Sequence, residues 1–593
     1  MAKLFITNNF NTNQNIVNHC EKQGFKSSFT GKFKTANIIA FSKKNSSNDN
    51  FHQIGDELII GIGSIIYKDF SNNNALKNIL SDFSDENDID LIKQTIIGNY
   101  VILIKKENNI FVFNDASNLY TLYYHQKNDN INIGSDLFDL AINRNEKKSL
   151  TIDENNFLEG VFVNGILGEA TIFKEIKKLL GHEYISINLR TENFKINHIS
   201  VKKSIISKLS FERNIDKYHK TLINNINSIV KHYKNIAISI TGGLDSRVIL
   251  SAFLNAGVKP NLLYGIGNSA ITNTNNNDYQ IVKKIAKKFD LELITMNWSS
   301  PNPIDKHWDE LSVKYGFHSE IYSGNINVIH EIEQLKNIDF IEFGYMGEVL
   351  RNSAWMNNYN KDFLCSKKLA ELYLAKYNTG IIKNKEEIIE NIENYFISVS
   401  ERHEIDFKNI SKDQNQIYDN EYRKFSDTHF LNFVNLYTFS LSILGNVHLL
   451  NMAANIPYDQ KENGKFQIEI IRKLYAPVLS IPIFTHGKFL NIDKSNLRPV
   501  TNKTDLLNYL KSILLRNKLF LKSFSRLKLF VFPLFDKEKD ELQFRTNGIK
   551  KYFNKKYNLN NDNKIKHISY AGGAYIAKYC HTRFIVDKII KKK

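Results

Sequence analysis

A glycine-rich corner at residues 241–246, TGGLDS, combines two glycines with a carboxylate and two hydroxyl groups. The β-branched run IAISI before it predicts a strand, and the apolar residues of 244–256 predict a helix. Glycines at a helix N-terminus let backbone N–H groups approach an anion closely, and the helix dipole favours negative charge. The corner is therefore a candidate phosphate-binding loop, with a plain strand-to-helix turn as the alternative.

Asp245 decides which phosphates this corner could bind. A Walker loop for β- and γ-phosphates needs a lysine after its last glycine, and none is present here. A carboxylate in the first helical turn repels phosphate unless Mg²⁺ stands between them, and one or two carboxylates commonly hold Mg²⁺ against substrate phosphates. The residue types thus predict a loop for a magnesium-bound pyrophosphate group.

Together with its strand, TGGLDS resembles the S-G-G-x-D-S loop of the ATP pyrophosphatases, with Thr241 in place of the first serine. The resemblance implies that ATP is cleaved between its α- and β-phosphates and that a substrate is adenylylated. It also implies a pyrophosphate site formed by Thr241, Gly242, Gly243, Asp245, Ser246 and Arg247. For Arg247, a surface salt bridge is the alternative.

A second motif, FIEFGYMGEVLRNSAW at 340–355, is similar to the second signature of the asparagine synthetase family. In that signature a strand ends in a glycine-containing turn with an acidic residue, so the resemblance implies that Glu348 binds Mg²⁺ together with Asp245. Tyr345 stands where asparagine synthetases have a glutamate and β-lactam synthetases have a tyrosine. It is a candidate for assisting deprotonation of the attacking amine, and an aromatic ring packed near the strand end is the alternative.

The segment 451–482 resembles the C-terminal helices of the same family, in which a lysine stabilises the reaction intermediates. A fixed positive charge near a developing oxyanion is the physical requirement. Lys465 is the best match to that lysine and Lys461 is its rival, with a solvent-facing lysine as the alternative for each. Asp278 falls where relatives often place an acidic residue at the start of a helix, and it is a further candidate.

The N-terminal part resembles the glutaminase module of this family in the order of its motifs, which lie at 96–104, 110–136 and 161–187. Glutaminases of this class use an N-terminal cysteine, exposed by removal of the first Met, as their nucleophile. This chain has Ala2 at that position, and Cys20 lies well downstream. We therefore expect a domain that keeps its fold without hydrolysing glutamine, as in β-lactam synthetases and lasso-peptide cyclases.

Composition restricts the class of partner. The formal net charge is +17, but the lysines are scattered, so nucleic-acid binding is not favoured. No apolar run is long enough to span a bilayer and the N-terminus lacks the layout of a secretory signal, so we expect a cytoplasmic protein. Three separated cysteines suggest neither disulfides nor a zinc site. Residues 512–533 fit either a basic amphipathic helix for a membrane or partner, or a core-facing helix.

The order of strand-like and helix-like runs predicts an α/β protein. Short β-type runs fill the first 200 residues, with a helix near 74–82, and predict a layered antiparallel sheet, which the resemblance makes similar to the Ntn hydrolases. Alternating strands and helices then predict a doubly wound parallel sheet followed by C-terminal helices. The expected parts are a degenerate glutaminase-like domain at 1–200, a synthetase domain at 205–490 and a basic extension at 491–593.

Taken together, these features predict an ATP- and Mg²⁺-dependent ligase that activates a carboxylate as an acyl-adenylate and transfers it to an amine. The acid would be a small-molecule, peptide or saccharide carboxylate, and the amine would be carried by the substrate or be free ammonia. Two alternatives stay open: a tRNA- or sulfur-modifying ATP pyrophosphatase, and a non-catalytic relative that keeps the fold. The sequence does not decide between a monomer and a homodimer.

Overall fold

The computed structural model describes residues 2–8, 13–34, 36–46, 50–127, 130–142, 150–163, 165–201, 203–266, 277–297, 331–352, 363–375, 385–426, 429–485, 488–493 and 496–499. Within these ranges, no helix combines the length and the apolar character that a membrane span requires. The basic segment at 512–533 lies outside the described residues.

The strands of the N-terminal part form two antiparallel sheets. Those of the first sheet, in spatial order, are β11 (Lys177–Leu179), β9 (Leu122–Lys127), β10 (Asn130–Gly134), β1 (Lys3–Thr7), β3 (Asn37–Phe41) and β2 (Ser27–Lys32). Those of the second are β13 (Phe194–His198), β12 (Glu183–Asn188), β8 (Asn109–Asn114), β7 (Ile97–Lys106), β5 (Glu57–Tyr67) and β4 (Phe51–Ile54), with β6 (Phe70–Ser71) paired to β5.

Alternation along the strands places the two sheets face to face. Leu4 and Ile6 of β1 share one buried cluster with Ile60 and Ile62 of β5, whereas Phe5 of β1 belongs to the cluster on the opposite face. Successive side chains of a strand point to opposite faces, so both faces of β1 are buried. The outer face of the second sheet packs against α2 (Asn72–Asp82) and α3 (Asp88–Thr95). The predicted antiparallel layers, with a helix near 74–82, are confirmed.

The second half of the chain is organised around a five-stranded parallel sheet. Its strands, in spatial order, are β16 (Leu293–Asn297), β15 (Asn261–Ile266), β14 (Ile236–Ser239), β17 (Phe340–Glu342) and β20 (Phe439–Leu441). Their apolar runs are buried on both faces, as is typical of parallel sheets. Ile238 and its neighbours on one face form a cluster with helices α6 (Phe211–His232), α7 (Leu244–Asn255), α8 (Asn277–Phe289), α13 (Val447–Ala454) and α15 (Lys465–Tyr475).

The other face of the parallel sheet connects to the N-terminal layers. Ala237 and Ile341 belong to one cluster with Val434 of α12 (His429–Val434) and with Phe41 and Cys20, the latter on α1 (Asn13–Lys22). The predicted α/β class, antiparallel layers followed by a parallel sheet and C-terminal helices, is confirmed.

The remaining helices and strands lie before β14, between β17 and β20, or after β20. They are α4 (Leu137–Ile142), α5 (Glu154–Val163), α9 (Ser366–Ala375), α10 (Lys385–His403), α11 (Asn415–Ser426), α14 (Tyr458–Lys461), β18 (Phe363–Leu364), β19 (Ile410–Ser411), β21 (Ile483–Thr485), β22 (Lys488–Asp493) and β23 (Asn496–Pro499). β22 pairs with β21 and runs through residue 490, where we predicted a domain boundary. The division of the chain into these three parts stays a prediction.

A buried polar network joins the N-terminal sandwich to edge strand β20. The Ser64 hydroxyl donates to Asn435 Oδ1 at 3.0 Å and accepts from the Ser440 amide at 2.8 Å. The Lys43 ammonium donates to the same Oδ1 at 3.2 Å and to the Thr438 carbonyl at 3.1 Å. Burial lowers the pKa of Lys43. Buried polar groups must be paired, so this network fixes how the sandwich sits against the sheet.

Candidate functional site

The order of the parallel strands defines a crevice between β14 and β17. From β14 the chain proceeds to β15 and β16 on one side, whereas β17 and β20 lie on the other. The connections after β14 and β17 therefore leave the sheet in opposite directions, which separates the loops at the carboxyl ends of these two central strands. Ligands of open α/β sheets bind in the crevice between such loops. The glycine corner follows β14 and the turn containing Glu348 follows β17, so both predicted motifs flank this crevice.

Hydroxyl groups hold the glycine corner in shape. The Thr241 amide donates to Ser246 Oγ at 3.1 Å, and the Gly243 amide donates to Thr241 Oγ1 at 3.2 Å. The Gly242 amide donates to Asp278 Oδ1 at 2.8 Å, and burial raises the pKa of that carboxyl. Asp278 therefore supports the loop from α8, and it already occupies one of the amides that we predicted for pyrophosphate.

Arg247 holds the glycine corner from behind. Its side chain is fully buried in α7. The guanidinium donates to the carbonyls of Gly242, Val478, Ile481 and Pro482 at 3.2, 3.3, 2.6 and 2.5 Å. Burial lowers its pKa to about 10. The buried Arg247 therefore forms neither the predicted pyrophosphate contact nor a surface salt bridge. It acts as a positioning residue that holds the loop against residues 478–482.

Two glycines bring the turn after β17 directly against the first turn of α7. A Cβ atom on Gly347 would lie 2.6 Å from the Cβ of Asp245, and one on Gly344 would lie 3.0 Å from the amide nitrogen of Ser246. The first separation is shorter than real Cβ contacts and the second is tighter than most of them, so glycine at these two positions permits the close approach. The glycines of the second motif thus place Glu348 next to Asp245.

A single guanidinium bridges the two predicted metal ligands. Arg351 Nη2 lies 3.1 Å from Asp245 Oδ2 and 3.2 Å from Glu348 Oε1. Burial opposes the charge of Asp245, but the Arg351 guanidinium and a 2.6 Å hydrogen bond from Gln467 hold the pKa of that carboxyl below its usual value. Asp245 is therefore ionised at neutral pH. Two carboxylates converging on one cation are the oxygen donors that Mg²⁺ prefers, so the residues fit this metal.

Glu348 has a second cationic partner on α11. Arg423 forms an ion pair with Glu348 and donates from Nε to Asp419 at 2.9 Å. Sequence reasoning missed both arginines. Arg351 lies inside the second motif, three residues after Glu348, where an i,i+3 ion pair was a readable signal. Arg423 carries no such signal, because only the tertiary fold brings α11 to the turn.

The structure separates the two candidate lysines. Lys461 is fully buried and donates to the carbonyls of Ala453 at 2.9 Å and Val349 at 3.4 Å, beside Glu348. Burial lowers its pKa to about 7. Lys465 is partly exposed, and its ammonium lies 5.7 Å from the ring centroid of Phe211. Lys461 thus lies beside the acidic turn, whereas the Lys465 ammonium donates to no carbonyl group within the described part of the chain.

Tyr345 stacks on Phe343, with ring centroids 5.3 Å apart and ring planes 16° from parallel. Its backbone carbonyl accepts a hydrogen bond from the Ser442 hydroxyl at 2.7 Å. These contacts agree with the packing alternative, and the role in amine deprotonation stays a prediction.

The residue that precedes β1, Ala2, carries no thiol. Ala2 is fully buried, and its backbone nitrogen donates to the Phe41 carbonyl at 2.6 Å. Cys20 is also fully buried, and burial together with Asp139 raises the pKa of its thiol well above the usual value. A thiol in that state is a poor nucleophile.

Glu342, at the end of β17, is a buried carboxyl next to the site. Its Oε1 accepts the Ile443 amide at 2.7 Å, while Oε2 has no hydrogen-bond partner among the described residues. Burial raises its pKa well above the usual value. Because the native state binds the proton more tightly than the unfolded chain does, the stabilising contribution of Glu342 is complete at low pH and is lost as pH rises through the native pKa.

We expect Glu342→Gln, which cannot ionise, to weaken this pH dependence. The free energy of unfolding of the variant relative to the wild type should rise between pH 5 and pH 8 by about 1 kcal/mol or more, since each pKa unit corresponds to about 1.4 kcal/mol. Urea unfolding at the two pH values measures it. The matched control is Glu390→Gln on the exposed side of α10, and an equal difference at both pH values would contradict the expectation.

Comparisons with known proteins add fold similarity at low identity. No family model matches the chain, and no curated protein matches it. Among solved structures, an allosteric regulatory enzyme of purine biosynthesis matches with a TM-score of 0.24 and 10% identity, covering 40% of this chain and 60% of that chain. A glutamine phosphoribosylpyrophosphate amidotransferase from B. subtilis, complexed with ADP and GMP, matches with a TM-score of 0.24 and 9% identity, covering 58% and 81%.

A U34-tRNA thiolase from Methanococcus maripaludis, with its 4Fe-4S cluster, matches with a TM-score of 0.19 and 12% identity, covering 54% of this chain and 81% of that chain. At such TM-scores these similarities support no assignment of function.

Proposed function

We propose that this chain is an ATP- and Mg²⁺-dependent amide-forming ligase of the asparagine synthetase type. The observation that supports the proposal is the convergence of Asp245 and Glu348 on one cation at the crevice between β14 and β17. Bound between these carboxylates, Mg²⁺ would neutralise the pyrophosphate oxygens and make that group a better leaving group. The backbone of the glycine corner would bind the phosphates, and Thr241 and Ser246 hold that backbone in shape.

In the proposed reaction an oxygen of the substrate carboxylate attacks the α-phosphorus of ATP. The bond between the α-phosphorus and the bridging oxygen breaks, pyrophosphate leaves, and an acyl-adenylate forms. An amine then attacks the acyl carbon, loses a proton, and releases AMP. Lys465 is proposed to stabilise the developing negative charge, because its ammonium can turn towards the substrate, and Tyr345 is proposed to assist removal of the proton.

We also propose that the chain does not hydrolyse glutamine. Ala2 offers a methyl group where a thiol is required, and the raised pKa of Cys20 keeps that residue protonated. The amine is therefore proposed to be part of the substrate or free ammonia. The acid is proposed to be a small-molecule, peptide or saccharide carboxylate, handled without nucleic acid.

The experiment is substrate-dependent release of pyrophosphate. Candidate acids are incubated with ATP, Mg²⁺ and an amine, and pyrophosphate and AMP are quantified together. We expect equal amounts of the two products for the correct acid. Release of ADP and phosphate in their place would contradict cleavage between the α- and β-phosphates.

A non-catalytic relative that keeps the fold is the second candidate, and one observation favours it. Arg351 already occupies the cation position between the two carboxylates, so Mg²⁺ must displace it. Calorimetry separates the two functions, because a ligase must bind Mg²⁺-ATP whereas a scaffold of this kind need not.

A further inference from the structure

A second group of metal-ligating side chains lies on the paired strands β12 and β13. Glu183 is the first residue of β12, and it stands directly opposite His198, the last residue of β13. His182 immediately precedes β12, and its carbonyl accepts the Ile199 amide at 2.8 Å. One ligand atom from each of His182, Glu183 and His198 lies within 4.8 Å of the others. The antiparallel register thus gathers two imidazoles and a carboxylate at one sheet edge.

One of the three separations matches that of a zinc site, and all three ligand atoms lie within 4.8 Å of one another. His198 Nδ1 lies 3.6 Å from Glu183 Oε1. Bonds of 2.0–2.2 Å in tetrahedral geometry put neighbouring ligand atoms roughly 3.3–3.6 Å apart. The His198 side chain is 67% exposed, so it can rotate without disturbing the core. The His182 ring has no hydrogen-bond partner in the described part of the chain and lies 6.1 Å from the His198 ring.

The carboxylate is already oriented. Glu183 is buried, and its Oε2 accepts the Leu180 amide at 2.9 Å, which leaves Oε1 on the side of His198. A hydrogen bond that fixes a ligand in this way is the usual support of a metal site.

The surrounding charges are mostly paired with one another. Arg402 and Lys424 approach His182 from α10 and α11, and both bind Glu421, at 3.3 and 2.5 Å. The Lys93 ammonium donates to the carbonyls of Gly181 and Glu183 at 2.8 and 2.9 Å. On the outer side, Glu401 and Glu404 line the same recess as His198, and Glu404 is paired with Lys203.

His182 also lines a cavity of about 260 Å³ between the N-terminal sandwich and helices α10 and α11. The cavity wall includes the buried Ser117 hydroxyl and the buried Asn420 amide oxygen, which have no hydrogen-bond partner among the described residues. A metal held by three protein ligands keeps its fourth position for water or a small ligand, and this cavity provides the space.

We propose that His182, Glu183 and His198 bind a zinc ion whose fourth coordination position faces this cavity. Two imidazoles and one carboxylate form a donor set that zinc accepts in tetrahedral geometry. The site is independent of the ATP site in its residues and in its test.

The test uses the full chain and zinc itself. The protein is stripped with a chelator, dialysed against zinc, and analysed for bound metal. We expect His198→Gln to retain one zinc equivalent fewer than the wild type. Co²⁺ should give the wild type the strong visible absorption of a tetrahedral site, and the variant should lose it. His448→Gln, which alters an exposed histidine on α13, is the matched control.

Because His198 is exposed, its substitution should leave the fold intact, and circular dichroism verifies the fold of each variant. Equal zinc content in His198→Gln and wild type would overturn the proposal. So would a wild type that binds no zinc, or Co²⁺ spectra unchanged by the substitution. None of these results depends on ATP, so the ligase proposal is unaffected by them.

Discussion

Asp245→Asn lowers the affinity of the protein for Mg²⁺-ATP by about a hundredfold or more. Asp245 is one of the two carboxylates proposed to hold the metal, and removal of one partner of a buried charged contact costs on the order of 3 kcal/mol. The substitution keeps the shape of the side chain and leaves Arg351 paired with Glu348. Isothermal titration with Mg²⁺-ATP measures the affinity, and release of pyrophosphate should fall in parallel.

The matched control for this variant is Asp290→Asn. Asp290 is an exposed carboxylate that pairs with Lys259 at 2.8 Å after α8. Its loss should leave the affinity for Mg²⁺-ATP unchanged. An Asp245→Asn protein that binds Mg²⁺-ATP as well as the wild type does would remove the basis of the proposed metal site.

Arg351→Gln changes two affinities in opposite directions. Without nucleotide, the guanidinium competes with a metal ion for Asp245 and Glu348, so its removal should raise the affinity for Mn²⁺ by about tenfold, which corresponds to about 1.4 kcal/mol. Once displaced by the metal, a guanidinium is a bidentate ligand for phosphate oxygens. The same variant should therefore bind Mg²⁺-ATP about tenfold more weakly.

Electron paramagnetic resonance of free Mn²⁺ measures the first affinity, and calorimetry measures the second. Arg213→Gln, at an exposed position on α6, is the control and should change neither. A parallel decrease of both affinities would show that Arg351 only stabilises the turn. The opposite signs are what distinguish competition with the metal from a structural role.

The proximity of the two acidic residues was predicted from the resemblance of their motifs to the asparagine synthetase family, and those motifs contain the glycines that the close approach involves. The arginines that lie against these two residues, Arg351 and Arg423, were not predicted. Arg423 reaches Glu348 from a helix 75 residues further along the chain, and no local pattern reports such a contact.

For Arg247, the sequence motif suggested a role that its contacts in the folded chain do not support. Its position after the glycine corner suggested a phosphate ligand, but the side chain is buried because residues 478–482 present carbonyl groups to it. Similarly, the sequence ranked Lys465 above Lys461 by motif match alone, and it did not indicate that Lys461 is buried whereas Lys465 is partly exposed. The network around Asn435 depends on the way two sheets meet, which hydrophobic periodicity does not specify.

The four carbonyl acceptors of Arg247 also set limits on motion. One buried guanidinium binds both Gly242 and the segment from Val478 to Pro482, and the Phe484 amide donates to the Gly242 carbonyl at 3.0 Å. We therefore expect these two segments to move as one rigid body. Any closure of the crevice over a nucleotide must therefore involve movement of residues outside these two segments. The opposite wall, residues 344–351, carries Glu348 and Arg351, whose ion pairs must change partners when a metal binds, so we expect metal binding to rearrange that wall.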